Sequence, residues 1–152
     1  MESQNNFFSS KFQKITLALF VPFVIAFIFF FKSSVFESTL QLRNFANLSM
    51  EPEIALSNGK PTYLEFYAEW CEICKEMAPK VAELKKDFDN EINFVFLNVD
   101  NPKWDKYIKE FKVNGIPQIN FIDSNSNSQA TFTGLQEEKT LEDAINYLIV
   151  SG

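Results

Sequence analysis

The chain has 152 residues, 46% of them hydrophobic, a length that admits one modest globular domain plus an appendage. Its net charge of −6, with no basic patch, argues against nucleic acid as a partner. Two cysteines and no histidine fall short of the four ligands that a zinc site usually needs, and no metal or other cofactor is expected.

Residues 1–14 form a polar tail carrying Lys11 and Lys14. Ile15 to Phe31 is an uncharged, almost wholly apolar run closed by Lys32, at the lower limit of length for a bilayer-spanning helix. Pro22 inside it is tolerable in a membrane helix. A cleaved signal peptide would want small residues near its cleavage site, and 31–37 offers none that convinces. A buried core helix would lie outside a domain that is complete without it. An uncleaved signal-anchor over 15–31 is the reading preferred. Charge orients it weakly, since Lys11 and Lys14 precede the run and Lys32 and Arg43 follow it. The balance slightly favours a cytoplasmic N-terminus with the following domain on the other side.

Residues 32–52 read as a linker with some helical character, Leu40, Phe45 and Leu48 being loosely periodic and Pro52 ending the stretch. The remainder, 53–152, reads as the folded domain. A short helix over 53–57 is expected to stop at Asn58-Gly59. The β-branched and aromatic run 61–67 predicts a buried strand. A helix follows over 72–89, with Met77, Val81, Leu84 and Phe88 as its inner stripe and a kink expected at Pro79. Residues 92–99 predict a central strand. Asp100 or Asn101 caps the next helix, with Pro102 in its first turn and Trp104, Ile108 and Phe111 facing inward. Strands over 118–122 and 130–133 flank the polar hairpin loop 123–128. A last helix over 139–149 carries Leu141, Ala144, Ile145 and Leu148 on one side. Strands alternating with helices, then a hairpin, then a helix predict an α/β fold with a mixed sheet covered on both faces.

The chemistry concentrates in Trp70-Cys71-Glu72-Ile73-Cys74. If Cys71 opens a helix, Cys74 lies one turn on and on the same face, close enough to bridge. A thiolate is the species that attacks a disulfide, and the free amides and dipole of a helix N-terminus favour a negative charge there. Cys71 is therefore expected to be the exposed nucleophile and Cys74 the buried resolving thiol. An inert structural disulfide across one turn would close too small a loop to constrain the unfolded chain much.

The segment Phe66 to Pro79, with Val113-Asn114-Gly115-Ile116-Pro117 and Phe132-Thr133-Gly134, resembles thioredoxin: its active-site segment, its cis-proline loop and its last strand and glycine. Within that family the stretch Ser57 to Thr62, the Glu72-Ile73 pair and Leu97 to Asn101 are similar to the membrane-anchored TxlA-type proteins of cyanobacteria and their thylakoid relatives. The resemblance implies a thioredoxin fold, and a redox-active Cys71–Cys74 disulfide in place of a cofactor. It implies that Glu65 takes or relays the proton of Cys74, where burial should raise its pKa toward neutrality. The alternative for Glu65 is an outward-facing strand residue. It implies that Pro117 is cis, that the backbone of Ile116 pairs with an extended substrate, and that Trp70 shapes the contact surface or shields the disulfide.

Two departures bear on mechanism. Glu72-Ile73 stands where ordinary thioredoxin has Gly-Pro, and the charge of Glu72 is expected to oppose a low Cys71 pKa and so a strongly oxidising character. Phe96 stands where many thioredoxins have a lysine beside the buried acid. The expected function is that of a tethered thiol–disulfide oxidoreductase reducing protein disulfides in the thylakoid lumen or periplasm. Its implied electron donor is a CcdA-type membrane thiol transporter, and its implied targets are apocytochromes or other cytochrome b6f subunits. The alternatives are a disulfide donor with the same site, and a non-catalytic thioredoxin-fold binding module.

Overall fold

The computed structural model describes the backbone of residues 5–151 and the side chains of 18–28 and 37–150. The chain divides into two units, Met1–Glu37 and Ser38–Gly152. In the first, helix α1 (Asn5–Leu48) begins, and its described apolar side chains, among them Leu19, Phe23 and Ile25, are exposed. Among the described residues no helix is long and apolar enough to cross a membrane. The span expected over 15–31 runs past the described side chains at both ends, and the side chains of the polar tail 1–14 lie outside them.

The stretch 32–52, read as a linker, is helical through Leu48. Within the second unit its Leu42 and Phe45 are buried in the core, three positions apart on one helical face. Leu40 and Leu48, which looked periodic with Phe45, are exposed instead. Phe45 stacks on Phe96 with ring centroids 4.8 Å apart. The Oγ of Ser49, just past the helix, accepts from the Phe96 amide at 3.0 Å.

After the one-turn helix α2 (Pro52–Ala55), the chain alternates β1 (Thr62–Tyr67), α3 (Glu72–Phe88), β2 (Asn93–Asn98), a 3-10 turn at Pro102–Trp104 running into α4 (Asp105–Glu110), β3 (Gln118–Ile122), β4 (Ser128–Thr133) and α5 (Glu138–Ser151). The sheet order is β2-β1-β3-β4, with β1 and β2 parallel and the other pairs antiparallel. Every residue of β1 is buried, because both faces of this interior strand are covered. Tyr63 and Tyr67 pack on one face with Met77, Val81 and Leu84 of α3 and Leu141, Ile145 and Leu148 of α5. Leu64 and Phe66 pack on the other with Ala55 and Tyr107, bordered by Trp104, Ile108 and Phe111. Helix α3 is continuous through Pro79.

Phe45→Ala is expected to lower the unfolding free energy of the second unit by about 3 kcal/mol, the usual scale for emptying a buried phenylalanine site. Urea denaturation followed by tryptophan fluorescence reads this. A loss below about 1 kcal/mol would place the end of α1 outside the cooperative core.

Candidate active site

The site forms where β1 ends and α3 begins. The sheet delivers the chain through Ala68 and Glu69 to Cys71, which caps α3 in an extended conformation (φ −77°, ψ 109°). Its Sγ accepts from the Cys74 amide at 3.1 Å, so one of the free donors of the first turn points at the sulfur. Cys71 and Cys74 are joined in a disulfide with Cα atoms 5.2 Å apart. Cys74 is fully enclosed, and Cys71 is 6% exposed. The expectation of an exposed Cys71 is thus corrected: the sulfur pair sits at the rim of the core, sealed on the Cys74 side.

Glu72, whose charge was expected to oppose a low Cys71 pKa, has an ion-pair partner. Its Oε1 accepts from Lys75 Nζ at 2.8 Å, one turn along α3.

A second loop faces the disulfide. The Ile116–Pro117 peptide is cis. Pro117 is buried, Ile116 is half-buried, and the Ile116 carbonyl oxygen lies 3.9 Å from Cys71 Sγ. The loop is held by the Gly134 amide, which donates to the Pro117 carbonyl at 2.9 Å. Gly134 has φ +84°, in the region that favours glycine.

Trp70 is 64% exposed beside the cysteine, and its indole N–H donates to Asp100 Oδ2 at 2.9 Å. Asp100 and Asn101 were equal candidates for the next cap. Asn101 takes that role, accepting from the Lys103 amide, while Asp100 fixes Trp70. Arg43 of α1 grips Glu69 Oε2 through Nε at 2.9 Å and Nη2 at 2.6 Å. Neither Arg43 nor Asp100 carries a sequence signal for this site, since each partner lies 26 or more residues away.

Glu65 is 1% exposed, which removes the outward-facing alternative. Its cross-strand neighbours are Phe96 and Ile119. Its Oε2 accepts from the Tyr63 hydroxyl at 2.6 Å. Burial pushes the Glu65 carboxyl up to about 7, against the opposing pull of that hydrogen bond. A carboxyl with this midpoint gains or loses a proton near neutral pH, as proton exchange with a thiol requires.

Fold and site together define a thiol–disulfide oxidoreductase domain of the thioredoxin type. The family model for thioredoxin matches residues 44–147. The chain is 33% identical over 106 residues to a thioredoxin of Rickettsia typhi, covering 69% of this chain and 96% of that protein. It is 40% identical over 125 residues to the chloroplastic thioredoxin-like protein HCF164 of Arabidopsis thaliana, covering 82% of this chain and 48% of that protein. It is 44% identical over 95 residues to the thiol:disulfide interchange protein TxlA homolog of Synechocystis, covering 62% and 53% respectively. The chain therefore spans about half the length of these last two relatives. Among solved structures, thioredoxin of Fasciola hepatica superposes with a TM-score of 0.54 at 27% identity, over 63% of this chain and 88% of that one. The chain belongs to the thioredoxin family.

The raised carboxyl sets a pH dependence of stability. Folded Glu65 holds its proton up to about pH 7, whereas the ordinary value is 4.5. The stabilisation is complete below the ordinary value and is lost as pH rises through the folded one, a total of about 3 kcal/mol. Glu65→Gln should remove that loss. Urea unfolding of both proteins between about pH 4 and 8 should show wild type falling relative to the variant as pH rises, and parallel curves would contradict the assignment.

Proposed function

We propose that this chain is a membrane-anchored thiol–disulfide oxidoreductase that reduces protein disulfides on the lumenal or periplasmic side of its membrane. The observation that carries the redox part is the cysteine pair at the N-terminus of α3, one sulfur at the rim of the core and the other enclosed. In the dithiol form the Cys71 thiolate attacks one sulfur of the substrate disulfide, and the other substrate sulfur leaves as a thiolate that takes a proton from water. The Cys74 thiol then gives its proton to the Glu65 carboxylate, and the Cys74 thiolate attacks Cys71 Sγ. The Cys71–substrate bond breaks, the Cys71–Cys74 bond closes, and the departing thiolate receives the proton held on Glu65. Two electrons pass from the dithiol to the substrate. During this exchange the backbone of Ile116, ahead of Pro117, pairs with an extended substrate segment, and exposed Trp70 bounds the contact surface.

The similarity to TxlA-type proteins supports the reducing direction, a CcdA-type transporter as electron source, and apocytochrome or cytochrome b6f subunits as targets. The chloroplastic relative is consistent with a thylakoid setting. The anchor rests on the apolar run 15–31, and the redox domain that follows it takes in Leu42 and Phe45 as well as 53–152.

A Cys74→Ser variant expressed in cells should accumulate mixed disulfides through Cys71, resolved on non-reducing gels and lost in Cys71→Ser/Cys74→Ser. The trapped chain should remain in carbonate-washed membranes and be released when 15–31 is deleted. Absence of any Cys71-linked adduct would favour the non-catalytic binding module, and release of the undeleted chain by carbonate would refute the anchor.

A further inference from the structure

Tyr63 is a buried titratable group that the exchange just described leaves unused. It is fully enclosed, and its ring packs against Phe94, Phe96 and Phe121 with centroids 5.3, 5.9 and 5.5 Å away. A phenylalanine would fill that space equally well. A hydroxyl in an aromatic core costs free energy unless it is hydrogen-bonded, and this one donates to Glu65 Oε2 at 2.6 Å. Residues two apart on a strand point to the same face, so Tyr63, Glu65 and Tyr67 share the side of β1 whose core cluster contains Cys71, Cys74, Met77 and Ala78.

The surroundings of Glu65 give the hydroxyl its weight. On β1 the titratable neighbours are Tyr63 and Tyr67, and the core cluster on that face holds the disulfide-bonded Cys71 and Cys74 at the start of α3. Strands β2 and β3 place Phe96 and Ile119 beside it, and the cluster residues of α5 and α1 are Leu141, Ile145, Leu148, Leu42 and Phe45. Burial and the nearby carboxylate hold the Tyr63 phenol well above its usual range, so it stays a donor throughout the working pH.

We infer that Tyr63 is a positioning residue of the redox site, its hydroxyl holding the Glu65 carboxyl in place on the α3 side of β1 for proton exchange with Cys74. The inference rests on the proposed role of Glu65 as the proton acceptor of Cys74.

Two readouts on wild type, Tyr63→Phe and Glu65→Gln separate the contact from the role. The first is the titration of the Glu65 carboxyl in the oxidised protein by carbon-13 NMR of labelled glutamate. The second is the pH profile of thionitrobenzoate release from the Cys71 mixed disulfide, the step in which Cys74 attacks. Removing a donor to the charged carboxylate should raise the Tyr63→Phe carboxyl midpoint by roughly one unit, and the release midpoint should follow it. Glu65→Gln should lose that inflection. An unmoved carboxyl midpoint in Tyr63→Phe, with the fold intact by thermal melting, would overturn the Tyr63 assignment while leaving Glu65 in its role. A release profile identical in wild type and Glu65→Gln would overturn the reading of Glu65, and with it the positioning role, whatever the carboxyl titration shows.

Discussion

A carboxyl group enclosed by the hydrophobic face of a sheet is expensive as an anion, by several kcal/mol even after the surroundings relax. Glu65 sits in that position at the centre of the interior strand, and its neighbours are arranged around the cost. The group meets it in two ways: its pKa moves up to about 7, so that it is neutral over much of the accessible pH range, and one oxygen is hydrogen-bonded by Tyr63. Phe96 and Ile119 close the flanks, so the proton affinity is set by packing and one phenol instead of by a neighbouring cation. The same strand ends at Tyr67, and Cys71, four residues further on, caps α3. Removing that enclosure would leave a strand acid with an ordinary pKa and little use as a proton acceptor near neutrality.

The aromatic enclosure continues into α1. Strand β2 is an edge of the sheet, and its Phe96 is covered by the ring of Phe45 and capped at its amide by Ser49. Arg43, on the same stretch of helix, holds Glu69 two residues before Cys71. Exposed ion pairs of this kind contribute little to stability. The contact instead limits where the loop before Cys71 can go, while Asp100 does the same for Trp70 from just past the end of the neighbouring parallel strand β2. Residues 42–49 therefore belong to the redox domain physically: they cover Phe96, the cross-strand neighbour of the acid, and steady the approach to the disulfide.

What was legible in the sequence follows from which signals are local. The strands, the helices and both faces of the sheet come from periodicity and breaker residues, and the cysteine pair from a spacing tied to one helical turn. Glu65 was reached through the thioredoxin resemblance that the cysteine segment carries. The end of α1 was misread because 32–48 mixes polar and apolar residues with weak periodicity, and the true contact positions, Leu42 and Phe45, emerge only against the folded sheet. Tyr63 looked like one more aromatic strand residue; its hydroxyl gains meaning from a partner two residues away on the same face. Lys75, three residues on, partners Glu72 only once the helix forms, a contact that the charge pattern alone did not single out.

The central claim is that the Cys71–Cys74 pair donates electrons. Its reduction potential, equilibrated against thiol buffers of known poise and read by alkylation of the free thiols, tests that most directly. The account predicts a value near or below that of thioredoxin, about −270 mV. A value near about −120 mV, that of a strong periplasmic oxidant, would contradict it and make the protein a disulfide donor; the two lie about 7 kcal/mol apart.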